Sequence, residues 1–195
     1  MQSKQYEHRR LRMISEQAEG EILDLGHAAL PNPFLPGDRT VGLDISEPVR
    51  PTGYRADEIG SVYNLDQLLG NRRFDTVIAG ELIEHLDAPY AFLEQVRAVL
   101  RPSGRLVLST PSPLGFPTLL FEILGSRRFF YADDHLYYFP MRWVWRMLEK
   151  SGFVVERTLP VGMWLPFGFI PSPRWLSYQI IYVASIAHPA RPANR

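Results

Sequence analysis

The chain has 195 residues, no cysteine, and 21 basic against 21 acidic side chains, a formal net charge of zero. That length suits one domain with a full core, and the neutral balance argues against nucleic acid as a partner, since phosphates reward a basic face. Lack of cysteine excludes disulfides, thiolate nucleophiles and cysteine-bound zinc; with neither a signal-peptide core in MQSKQYEHRRLRM nor a membrane-length apolar run, a cytoplasmic location is expected.

In chain order, residues 4–18 carry Leu11, Ile14 and Ala18 at helical spacing and predict a leading helix. EILDL then reads as a short buried strand stopped by Gly26, and TVGLDI as a second strand ending at Ile45. TGYRAD is a weaker third strand, FDTVIAG a fourth and GRLVLST a fifth. Between the last two lies a helix with Asp87 as its cap, Pro89 in its first turn, and Phe92, Val96, Val99 and Leu100 on one face. The Arg101-Pro102-Ser103-Gly104 turn ends it. A later helix runs from Pro140 to Lys150 and stops at Gly152, and FVVERTL and SYQIIYVASIA are the closing strands, pairing as an antiparallel addition at one edge. Strands alternating with helical segments predict a parallel α/β sheet. The expected division is a leading helix over 1–19, a domain over 20–187 and a flexible tail over 188–195.

Ligands of open α/β sheets bind beyond the carboxyl ends of the strands. Strand one ends Asp24-Leu25-Gly26, and Asp44 closes strand two twenty residues later, placed to accept from a ribose diol. Asp57 closes the predicted third strand, within reach of an adenine amino group, and Gly80 and Glu81 close the fourth. Taken singly, each has a plain structural reading as a turn or cap residue. VGLDIS, FDTVIAGELIEHL, LRPSGRLVLSTPSP and MLEKSGFVV resemble successive segments of the class I S-adenosylmethionine-dependent methyltransferases, over roughly residues 20–186. The most specific part is FDTVIAGELIEHLDAPYAFLEQVRAVLRPSGRLVLSTP. The resemblance implies a Rossmann-like, mostly parallel sheet of seven strands with an antiparallel last strand, and S-adenosylmethionine as cofactor. It assigns Asp24 and Gly26 to the first cofactor loop, Asp44 to the ribose, Ile45 to the adenine face and Asp57 to the adenine edge. Gly80 and Glu81 fall where the chain passes the methionine portion.

Against that family pattern the first loop is degenerate. Ala28 stands at the second glycine position, and Pro31, Pro33 and Pro36 exclude a following helix, each interior proline costing about 3 kcal/mol. The next crossover, Ser46–Thr52, is too short for a helix, and the third has room only for a brief one around Leu65–Leu69. One sheet face should therefore be short of crossover helices. Its cover is expected from the leading helix, from the segment around Phe34 and Leu35, or from a second subunit in a homodimer. A dinucleotide fits such a loop badly, because its phosphates want the second glycine and a helix N-terminus.

The sulfonium is an activated donor, so placement of the acceptor is the enzyme's main task. His135 and His85 are the candidate bases for a hydroxyl acceptor, each with the alternative of a structural hydrogen-bonding role. Asp133, Asp134 and His135 form a weak cation motif, and no metal is expected from it. Apolar and aromatic segments FPTLLFEIL, FFYADDHLYYF and MWLPFGFIPSPRW surround the acceptor side. Trp164, Phe167, Phe169 and Trp175, with Arg127 and Arg128 nearby, predict a small or lipid-linked acceptor and a peripheral membrane contact through residues 163–175. The expected function is methyl transfer, at a hydroxyl. The alternative is a catalytically inactive relative that serves as a binding partner or oligomeric scaffold, and cofactor affinity separates the two.

Overall fold

The computed structural model describes residues 2–113, 135–165 and 168–187. Helix α1 (Gln2–Ser15) leads into β1 (Ile22–Leu25), β2 (Thr40–Asp44) and β3 (Ala56–Ile59). Then come α2 (Leu65–Leu69), β4 (Phe74–Gly80), α3 (Pro89–Val99) and β5 (Leu100–Pro111). The chain closes with α4 (Met141–Lys150), β6 (Phe153–Leu165), β7 (Gly168–Ile170) and β8 (Gln179–Ile186). The sheet order is β3-β2-β1-β4-β5-β8-β6-β7, the first five strands parallel and β8 antiparallel to both its neighbours.

The closing strands pair antiparallel with each other and extend the parallel strands beyond β5, the expected addition at one edge. β8 sits inside the sheet between β5 and β6, and its first six residues are buried, a pattern that only a strand covered on both faces can satisfy. β7 is a three-residue return on the end of β6. The predicted third strand is displaced: the ladder with β2 starts at Ala56, so Asp57 is the second residue of β3. The rim position beyond β3 falls instead to Gly60 and Ser61. Asp87 does not cap α3; Ala88 holds the cap position, and the Asp87 carboxylate accepts from the Tyr63 hydroxyl. The expected turn at 101–104 is absorbed into β5 as a bulge, where pairing steps from Phe74–Leu100 to Thr76–Arg105.

One face of the sheet is covered by α2, α3 and α4, which bury Leu65, Leu69, Phe92, Val96, Val144 and Leu148. The other has no crossover helix from β1 or β2, as the prolines dictate. Its cover comes from within the chain. α1 lays Ile14 against Ile22, Ile78, Val107 and Ile181, and Leu35 of the proline segment joins the same cluster. The α1 side chains also reach β6, where Arg9 Nε donates to the Val161 carbonyl at 3.0 Å. α1 therefore packs across the carboxyl half of the central strands, next to the rim where ligands bind in such sheets.

Candidate functional site

The first loop keeps one turn glycine and fills the rest with a buried polar network. Gly26 has φ +71°, a left-handed conformation that glycine adopts without strain. His27 is 2% exposed and lies over β2, where a Cβ on Gly42 would stand 2.4 Å from its Nε2. That same Nε2 meets Asp57 Oδ1 at 2.8 Å, and the Thr52 hydroxyl donates to Asp57 Oδ2 at 2.9 Å. Asp57 thus takes part in the loop packing. Asp24 is buried and accepts from the Tyr54 hydroxyl at 2.7 Å. Burial pushes its carboxyl up to about 6, against the opposing pull of Tyr54 and His27.

Asp44, at the carboxyl end of β2, is half-buried. Its Oδ2 accepts the Ala28 N–H at 2.9 Å and its Oδ1 accepts Ser46 N–H at 3.2 Å. The Ser46 hydroxyl also donates to Oδ1 at 3.3 Å, so about one of four lone-pair sites stays free, and a second is released when that rotatable hydroxyl turns away. Beside it Ile45 is 76% exposed, and Ile59, the register partner of Asp44 on β3, 54%. An aliphatic side chain left bare at a strand end offers apolar surface to a flat ring.

At the end of β4 the chain turns sharply. Glu81 has φ +55°, the one left-handed non-glycine among the described residues; such strain, on the order of 1–3 kcal/mol, collects at functional sites. Its carboxylate is fixed by Gln179 Nε2 at 2.6 Å and by the Ser109 hydroxyl at 3.1 Å. Burial raises its pKa. Facing it from α1 is Arg10, 4% exposed, with Nη1 on Ser109 Oγ at 3.2 Å and Nη2 on Glu7 at 2.6 Å. A Cβ on Gly80 would come to 3.0 Å from Arg10 Nη1. Between α1 and the loop lies a slot of about 40 Å³ lined by Arg10, Ile14, Asp24, Gly26, Leu30 and Gly80.

Further along the rim, the 3₁₀ turn Ile83–His85 carries a second group. Glu84 is wholly buried, with Oε2 accepting from the Thr110 hydroxyl at 3.2 Å and Oε1 lacking a hydrogen-bond partner among the described residues. Burial, then the nearby Glu81 charge, pushes its carboxyl up to about 8. His85 and His135 meet edge to face with ring centroids 4.6 Å apart. The Glu84 carbonyl accepts the N–H groups of Leu136 and Tyr137 at 2.9 and 3.1 Å, tying the 135–139 segment to the turn. Two predicted bases from distant parts of the sequence are thereby brought together.

Two residues past Thr110, Ser112 opens a groove of about 560 Å³ lined also by Met141, Arg142, Trp143, Arg174 and Trp175. Trp143 and Trp175 are 67% and 64% exposed. Asp133, Asp134, Arg127, Arg128 and Phe167 lie outside the described residues, as do FPTLLFEIL, the tail 188–195 and the side chains of Trp164 and Phe169. Sequence reasoning missed Arg10 and the separate role of Glu84. The signal for Arg10 was present: it shares a helical face with Tyr6 and Ile14, an arginine inside an apolar stripe.

A family model described as a methyltransferase domain matches residues 2–158. Among solved structures, the chain resembles the CcbJ methyltransferase from Streptomyces caelestis at TM-score 0.65 and 18% identity, over 93% of this chain and 89% of that one. It also resembles an S-adenosylmethionine-dependent methyltransferase from Thermotoga maritima, described as a possible histamine N-methyltransferase. There the TM-score is 0.67 at 16% identity, over 94% of each chain. At these identities the likeness concerns the fold. The mitochondrial ubiquinone biosynthesis O-methyltransferase of Dictyostelium discoideum is 30% identical over 77 residues, 40% of this chain but 23% of that protein's length.

Proposed function

The chain belongs to the class I S-adenosylmethionine-dependent methyltransferases, and from that premise we propose that it moves the methyl group of S-adenosylmethionine to a hydroxyl of a small or lipid-linked acceptor. The observation that carries this reading is the half-buried Asp44 carboxylate beside the bare Ile45 side chain, a pairing suited to a ribose diol and an adenine ring. Gly26 and Gly80 give the chain close approach to a ligand, and a Cβ at either would crowd a side chain, Leu82 at 3.1 Å or Arg10 at 3.0 Å.

Arg10 is the group for the methionine carboxylate, through a charge-assisted fork. The slot it lines holds a few water molecules at about 40 Å³, so the amino-acid end of the cofactor displaces those waters and shifts α1 outward. Glu81, held by Gln179 and Ser109, supplies the acceptor for the cofactor's ammonium. When bound, the cofactor supplies the electrophilic methyl; the chain's task is to aim the acceptor along the S–C axis and exclude water.

On the acceptor side, an apolar groove carrying two tryptophans and two arginines supports an acceptor with a greasy body and an acidic group. Exposed Ile170 and Trp175 favour delivery from a membrane surface through residues 163–175. Among the described residues, no helix is long and apolar enough to cross a membrane. The relative from Dictyostelium acts at oxygen by its name, which supports a hydroxyl as the acceptor atom. Calorimetric titration with S-adenosylmethionine and S-adenosylhomocysteine tests the reading: micromolar affinity is expected, weakened at least roughly tenfold in Asp44→Ala, the loss of a charged hydrogen bond. A folded sample with no affinity for either would refute it and favour a partner-binding relative.

A further inference from the structure

We propose that Glu84, His85 and His135 bind a divalent cation, and that this ion, distinct from the cofactor cradle, holds the acceptor oxygen. One ligand atom from each of the three residues lies within 4.8 Å of the other two. Donors at about 2.1 Å around one tetrahedral ion stand about 3.4 Å apart, so side-chain rotations that draw the three atoms together by up to about 1.4 Å close the set. The observation that points to a ligand is Glu84. It is 0% exposed, Thr110 engages one carboxylate oxygen, and the other is buried with no hydrogen bond among the described residues. A buried carboxylate oxygen is normally partnered, and a cation beside it is a partner of the right charge.

The frame is built before any ion arrives. Glu84 and His85 sit on the tight turn after β4, and the Glu84 carbonyl pins Leu136 and Tyr137, which fixes His135 against His85. The other charges nearby have their own work. Glu81 is engaged by Gln179 and Ser109, and Arg10 by Glu7 and Ser109. Thr110 stands behind Glu84 as an orienting contact, the outer-shell support that metal carboxylates use.

Two imidazoles and one carboxylate are a borderline donor set. They favour Zn²⁺, Mn²⁺, Fe²⁺ or Co²⁺ over Mg²⁺ and Ca²⁺, which want oxygen. Three protein ligands leave coordination positions open. The groove that begins at Ser112, two residues beyond Thr110, is lined by none of the three ligands, so an acceptor held there must extend along the rim to reach the ion. A hydroxyl bound to the ion is oriented and made more acidic, which is what an oxygen acceptor needs. The acceptor role rests on the methyltransferase reading; the cation site does not.

The test titrates the chelator-stripped full chain with Co²⁺, Zn²⁺, Mn²⁺ and Mg²⁺ separately, by calorimetry and by the visible bands of bound Co²⁺. One ion per chain is expected, with Mg²⁺ weakest. His85→Ala, His135→Ala and the isosteric Glu84→Gln should each weaken binding about tenfold or more, with circular dichroism confirming the fold. S-adenosylmethionine affinity is measured on the same samples. Cation binding without cofactor binding would sink the methyltransferase reading alone. No cation binding by the folded chain, or binding indifferent to the three variants, would overturn the proposal whatever the cofactor does.

Discussion

Replacing Asp24 by asparagine should stabilise the protein at neutral pH and make it less sensitive to pH. Its carboxyl titrates at about 6 when folded against an ordinary 3.8, chiefly through burial. The folded state therefore binds a proton more tightly than the unfolded chain does. For a raised carboxyl, stability is greatest below the unfolded value and falls as pH rises towards the folded one. Over that window the loss is about 3 kcal/mol, at 1.36 kcal/mol for each pH unit of displacement. The amide of the variant would never ionise and could still accept from the Tyr54 hydroxyl. The assay is chemical denaturation of both proteins at pH 4.5 and 7.5. At the lower pH, already inside the window, Asp24→Asn should lead by about 1 kcal/mol; at the higher its gain should reach about 3 kcal/mol. The comparison between proteins cancels the other titrating groups. Equal differences at the two pH values would mean that Tyr54 and His27 fully compensate burial, and would refute the reasoning.

Gly42→Ala should cost about 1–3 kcal/mol by overpacking, since the new Cβ would stand 2.4 Å from His27 Nε2 in a site where His27 is 2% exposed. In a His27→Ala background the same change should cost much less, and additive effects in a thermal-melt cycle would show that the two do not touch. Arg10→Ala should lower stability by about 3–5 kcal/mol, the range for stripping one partner from a buried charge cluster. It should weaken S-adenosylmethionine far more than adenosine, which has no carboxylate; equal losses by calorimetry would remove Arg10 from the methionine site.

What the sequence made legible followed from local chemistry. Prolines at 31, 33 and 36 ruled out a helix after β1, and the structure has none there; the short helix at Leu65–Leu69 stands where the crossover length allowed one. The errors arose where tertiary contacts override local pattern. Tyr54 alternates like a strand residue, but its hydroxyl leaves the ladder to reach Asp24, which moves the start of β3 to Ala56. Asp87 has a cap's position but is taken by Tyr63. HRRLR offers three arginines in four positions, and the strand packing beneath α1 decides that Arg10 is the buried one. His85 and His135, fifty residues apart, meet only because the Glu84 carbonyl accepts from the 135–139 segment.

The departures around β1 and β2 share one physical origin. A loop that cannot continue into a helix leaves the sheet face above β1 and β2 uncovered, and a polar loop cannot cover it without partners for its buried groups. His27 is partnered by Asp57, Asp24 by Tyr54, and the Asn32 side chain by the Leu11 carbonyl of α1. The last bond matters most, because it makes α1 part of the loop's own packing while Arg10, one residue earlier, lines the slot on the other side. The element that replaces the lost helix is thus the wall of the proposed cofactor site. Opening that wall for a ligand must loosen the cover of the sheet, and a bound cofactor, by filling the slot, must restore it. Cofactor affinity and the stability of this face are consequently one linked quantity, and a substitution in either α1 or the loop acts on both.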